Sequence, residues 1–97
     1  MTPPPHIDGA LVLEWAWSEI PFGELRSSDG SIVTAIHGLA LCRYEGSSTI
    51  YRFSCDANWE TEQDSDHSSI EQAKAHLPEQ YRRVPTQWIK TSVRNEA

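Results

Sequence analysis

The chain has 97 residues, a mass of 11.0 kDa, 38% apolar residues, a mean hydropathy of -0.53 and a formal charge of -6. That length suits a single domain over 1–97 around one core, and the apolar share is too high for a disordered chain. No apolar run approaches the ~20 residues of a membrane span, and the negative charge disfavours general binding to phosphate backbones.

Met1-Thr2-Pro3-Pro4-Pro5-His6-Ile7-Asp8 opens the chain. It has neither the basic nor the apolar region of a secretory signal, so the expected compartment is cytoplasmic. Its prolines predict an extended arm over residues 1–9. In such a compartment Cys42 and Cys55 are expected to be buried free thiols acting as small hydrophobes. From Ala10 to Ile20, Leu11, Leu13, Trp15 and Trp17 alternate with Val12, Glu14, Ala16 and Ser18. Period-two spacing predicts a strand with the first four on one, core-facing side. Ile20-Pro21-Phe22-Gly23 suits a type I turn, and Glu24 to Ser27 suits a short strand. Asp29-Gly30 is a hairpin signal for a type I′ turn, whose two central residues both need positive φ.

Ser31 to Tyr44 is long for one strand, and Gly38 near its middle predicts a bulge or a bend. Glu45-Gly46-Ser47-Ser48 reads as a turn, and Thr49 to Asp56 as a strand with Tyr51, Phe53 and Cys55 on one face. A hairpin tip at Gly46-Ser47 sets Cys42 opposite Tyr51, Ala40 opposite Phe53 and Gly38 opposite Cys55. The other face then pairs Leu41 with Arg52, Leu39 with Ser54 and His37 with Asp56. A one-residue slip would exchange the faces.

Asn58 to His67 is polar and acidic and is expected to be a loop. Ser68 with Glu71, or Ser69 with Gln72, can cap a helix start. Ile70, Ala73, Leu77 and Tyr81 follow helical spacing, with Pro78 expected to end or kink the helix. Arg82 and Arg83 suit its C-terminal end. Thr86 to Val93 is a candidate last strand, and Arg94 to Ala97 a frayed tail. The expected fold is α+β: an antiparallel meander of three to five strands, with one helix from the C-terminal half packed on one face.

The charge is unevenly spread. Asp56, Glu60, Glu62, Asp64, Asp66 and Glu71 fall in a stretch without Lys or Arg, whereas Lys74, Arg82, Arg83, Lys90 and Arg94 outnumber Glu79 and Glu96 beyond it. Acids before a helix and bases after it complement its dipole, which accounts for part of this partition. The functional reading is a small acidic protein-binding domain of accessory, inhibitor or immunity type. Trp59, Glu60, Glu62, Asp64 and Asp66 would form its docking surface for a basic protein partner, with Trp59 as an exposed aromatic anchor. The lean core also allows a homodimer.

The alternative is a small enzyme or ligand-binding domain with a pocket between sheet and helix near His37 and Asp56. A carboxylate beside an imidazole can tune it for acid–base work, although a surface pair of this kind contributes only about 0–1 kcal/mol. No nucleophile elbow, Gly-rich phosphate loop or paired-Cys motif is present. Asp64-Ser65-Asp66-His67-Ser68 opens like a calcium loop but lacks the turn glycine, and Ala75 stands where the closing acid belongs. No metal or cofactor is expected. Nucleic-acid binding through Arg82, Arg83, Lys90 and Arg94 is disfavoured by the total charge.

Overall fold

Two Asp-Gly pairs shape the first third of the chain, in different ways. Asp8 and Gly9 both have positive φ, 50° and 84°. They make the two-residue turn that matches the twist of antiparallel strands, joining β1 (His6–Ile7) to β2 (Ala10–Trp17) with Ile7 opposite Ala10. The expected proline arm is therefore folded back at its C-terminal end, and the Val12 amide donates to the Pro5 carbonyl at 2.9 Å. At Asp29-Gly30 only Gly30 is left-handed, with φ 89°. The type I′ expectation fails there. Gly30 N donates to Ser27 O and Ser27 N to Ser31 O, at 3.0 and 2.9 Å, the pattern of a type I turn closed by a left-handed glycine. The Asp29 carboxylate explains the difference: it accepts from the Ser31 amide and from the hydroxyls of Ser27 and Ser31. Those donors hold its carboxyl down at about 2.

The computed structural model describes residues 1–91. Beyond β1 and β2, the described elements are β3 (Gly23–Arg26), β4 (Ile32–Ile36), β5 (Gly38–Arg43), β6 (Ile50–Cys55), β7 (Thr61–His67), α1 (Ile70–Ala75), a 3-10 helix (Glu79–Tyr81) and β8 (Ile89–Lys90). The main sheet runs β1-β2-β5-β6-β7, with β8 also on β2, and β3-β4 form a separate hairpin. Every pairing is antiparallel. The chain is thus mostly antiparallel sheet with one short helix, consistent with the α+β expectation. Of the expected last strand, Ile89 and Lys90 form β8; the expected frayed tail lies outside the described residues.

The β5–β6 register is the expected one, from Cys42 opposite Tyr51 through Gly38 opposite Cys55. The long stretch divides at His37, between β4 and β5. Gly38 is required by a close approach, since a Cβ there would lie 2.6 Å from the Trp59 ring.

A bulge in β2 corrects the predicted faces. Val12 pairs with Cys42, but Glu14 pairs with Leu41, leaving Leu13 as the extra residue. One inserted residue inverts the alternation beyond it. Trp15 and Trp17 still share a face, but with Val12 rather than with Leu13. On that face Val12, Ala40, Cys42, Phe53, Cys55 and Trp59 form one buried cluster, flanked by Trp15, Trp17 and Tyr51. On the other, Ala16 and Leu39 pack with Phe22, Ile36, Leu77 and Tyr81, and Leu41 and Ile50 pack with Ala73 of α1. Five of the six residues of β5 are buried, because both of its faces are covered.

Ser69 caps α1, its hydroxyl accepting from the Gln72 amide at 3.0 Å, and Pro78 begins the 3-10 helix. Both free cysteines are buried. Burial raises the Cys42 thiol well above its ordinary range and pushes Cys55 up to about 12.

The bulge also turns Glu14, 5% exposed, towards α1, where Lys74 Nζ lies 2.7 Å from Oε1 and 5.6 Å from the Trp88 ring centre. Breaking a buried pair strands the remaining charge. Lys74→Met is expected to cost about 2 kcal/mol, below the fully buried range because Lys74 is part-exposed. Adding Glu14→Leu should recover most of the loss in urea unfolding. A double variant as unstable as the single one would refute this account.

Candidate functional site

The acidic stretch is a strand, not a loop. Asp, Glu and Gln have low strand propensity, but pairing with β6 overrides it: Asp64 lies opposite Phe53, Ser65 opposite Arg52 and Asp66 opposite Tyr51. A bulge leaves Glu62 unpaired between Thr61, opposite Cys55, and Gln63, opposite Ser54. β7 ends the strand order, so its outer edge has no partner among the described residues. Glu60, Glu62, Asp64 and Asp66 are all exposed there. The ion pairs among the described residues join Glu24 to Arg26 and Arg83, and Glu14 to Lys74. None neutralises the β7 acids.

Trp59 does not belong to that surface. It is 7% exposed and packs on the core, 6.1 Å from Trp15 and 5.6 Å from Trp17 between ring centres. Its φ of 63° turns the indole inward over Gly38. The exposed-aromatic expectation is corrected by this contact, whose partners lie far away in sequence.

His37 and Asp56 are not brought together. His37 Nδ1 donates to the Ser18 carbonyl at 2.9 Å, and its ring stacks on Trp17 at 5.6 Å. The Asp56 carboxylate accepts from the Asn58 and Glu60 amides at 2.8 and 2.9 Å, closing the β6–β7 turn. Each group is already used locally. Tyr51 lies between Tyr44 and Phe53. Cavities open elsewhere: one of about 530 Å³ beside His6, Arg43, Tyr44 and Ser47, one of about 300 Å³ beside Pro4, Trp15 and Ile89, and one of about 640 Å³ between Leu25, Val33, Glu62 and Gln63. His37 and Asp56 line none of these.

The bases on which the disfavoured nucleic-acid reading would rest are in part engaged elsewhere. Arg82 Nε donates to the Leu77 carbonyl at 2.9 Å and Arg83 pairs with Glu24. Lys90 lies in β8 at the opposite side of the sheet from β7, and Arg94 lies outside the described residues.

One polar cluster was missed by sequence reasoning. Arg52, in the middle of β6, is 3% exposed. Among the described residues its Nε has no hydrogen-bond partner, nor has the buried hydroxyl of Ser54 two residues on. The guanidinium lies 5.5 Å from the centre of the Tyr81 ring, and the Tyr81 hydroxyl donates to Gln63 Oε1. Opposite stands Ser65, whose hydroxyl is 2.7 Å from His67 Nε2, and His76 lies beside His67 at 6.3 Å between ring centres. Burial, then the charges of Arg52 and His76, hold His67 below the ordinary imidazole range. A desolvated cation over an aromatic ring gains about 2 kcal/mol, whereas removing a cation from water costs several kcal/mol. Among the described residues no carboxylate pairs with Arg52. The register places Arg52 on the same face as Leu41, the side that α1 covers. That much was readable, but the absence of a counter-ion was not.

No protein-family model matches this chain, and comparison with curated proteins and with solved structures likewise finds no match. No helix among the described residues is long and apolar enough to cross a membrane.

Proposed function

We infer that this chain is a protein-binding domain that docks a basic partner along β7. The observation that carries the reading is a row of acids, along and just before β7, that form no ion pair among the described residues, on a sheet edge that no described strand pairs. Charges on edge strands also prevent unwanted strand pairing, and two copies of β7 laid side by side would oppose like charges. That disfavours self-association through this edge and favours a partner of opposite sign. Complementary charge of this kind speeds encounter and fixes register more than it adds raw affinity.

The test is affinity capture from the native source, followed by a dissociation constant for the recovered protein. Glu60→Lys, Glu62→Lys and Asp64→Lys together are expected to weaken binding at least tenfold, about 1.4 kcal/mol. Reversing the exposed Asp8, Glu19 and Glu45 makes the same change in net charge away from β7 and should weaken it far less. Equal losses for the two triple variants would reduce the effect to total charge and remove β7 from the account.

A further inference from the structure

We propose that Arg52 anchors a binding site for a small oxyanion, a phosphate or a carboxylate group, on the face of the sheet that α1 and the 3-10 helix cover. The inference does not depend on the β7 acids. By strand alternation Asp64 and Asp66 share the side of Phe53 and Tyr51, whereas Ser65 and His67 share the side of Arg52.

The Arg52 guanidinium carbon lies over the Tyr81 ring, 5.5 Å from its centre. An aromatic ring is no hydrogen-bond acceptor for the whole guanidinium fork, and that donor fork matches the paired oxygens of a carboxylate or phosphate. Nε is enclosed and unpartnered. A nine-tenths-buried donor without an acceptor is rare and needs an explanation. The neighbours suit an anion as well. Ser65 stands directly across the strand pair, with Gln63 and His67 as its diagonal neighbours, and the Ser54 hydroxyl lacks a partner. The acids of this region, Asp64 and Asp66 on β7 and Glu71 and Glu79 on the helices, are exposed, and none forms an ion pair with Arg52 among the described residues.

The test is a nuclear magnetic resonance titration of the full chain at neutral pH. Sodium phosphate and sodium acetate form separate arms, with sodium chloride at matched ionic strength as reference. The Arg52 Nε–H signal and the Ser65 and His67 amides are expected to shift saturably. A response to phosphate alone identifies a phosphate-bearing ligand, a response to acetate alone a carboxylate-bearing one, and a response to both a site that takes either oxyanion. The bound anion should also raise the midpoint of the His67 imidazole titration, which a purely structural role for Arg52 would leave unmoved. Arg52→Lys keeps the charge but loses the fork and should weaken binding at least tenfold. Arg52→Met should abolish it, while its melting temperature in chloride rises above that of the parent and no longer responds to phosphate. Shifts in neither arm beyond those in chloride, or shifts that persist in Arg52→Met, would overturn the proposal; if Arg52→Met does not fold, the parent and Arg52→Lys titrations decide.

Discussion

Trp59→Ala is expected to lower the unfolding free energy by about 3–5 kcal/mol, the usual cost of truncating a buried tryptophan. In a small domain stable by roughly 5–15 kcal/mol that is a large fraction. The indole fills the space above Gly38 and touches both Trp15 and Trp17. Two local terms oppose its position. A non-glycine residue at positive φ costs about 1–2 kcal/mol, and its buried Nε1–H has no partner among the described residues, a further 1–3 kcal/mol or so. The residue is kept there because burial of the ring outweighs both. Trp59→Phe keeps a ring and removes the orphan donor, so it should lie within about 1.5 kcal/mol of the parent. Urea unfolding followed by the fluorescence of the remaining tryptophans measures both variants. An unchanged midpoint in Trp59→Ala, together with lost partner binding, would return Trp59 to the docking surface.

Gly23→Ala is expected to cost about 3 kcal/mol, the upper end of the usual range for overpacking. A Cβ at this position would lie 2.0 Å from the Gln80 carbonyl oxygen and 2.9 Å from Tyr81 Cδ1. A side chain could rotate away, but a backbone carbonyl cannot. Either β3 or the 3-10 helix must move. The same junction holds the hydrogen bond from the Arg83 amide to the Phe22 carbonyl, 3.2 Å, and the Arg83–Glu24 pair. Displacement would therefore loosen the attachment of the β3–β4 hairpin to the domain. Gly30→Ala is the informative comparison. Its Cβ would meet nothing within 4 Å, and only its φ of 89° opposes the change, at about 1 kcal/mol. Thermal or chemical denaturation that ranks Gly30→Ala as the more damaging would refute the close-approach argument.

Signals that act over a few residues were legible. The tip at Gly46 and the alternation on either side specified the β5–β6 register residue by residue. Ser69 was one of the two serines read as the cap of α1, whereas the helix stops at Ala75, short of the end expected at Pro78. The Asp8-Gly9 hairpin carried the same two-residue signal as Asp29-Gly30, but its flanking prolines pointed to an extended arm instead. At Asp29 a local serine network selected a different turn from the one the dipeptide alone favours. The β7 strand was hidden because its residues have little propensity for it; only the exposed edge of β6 draws them into line.

From its sequence alone this chain was read as an α+β domain of antiparallel strands with one capped helix, preceded by a stretch of interspersed acids without Lys or Arg. Tertiary structure alone decided that Leu13 is the bulged residue, that Glu14 turns inward to Lys74, that Trp59 closes over Gly38 and that Arg52 has no counter-ion among the described residues. The division follows from range. Turns, caps and alternation are set by neighbours along the chain. Burial and charge pairing depend on which distant segments meet, and inserting one residue into a strand exchanges everything that faces inward beyond it.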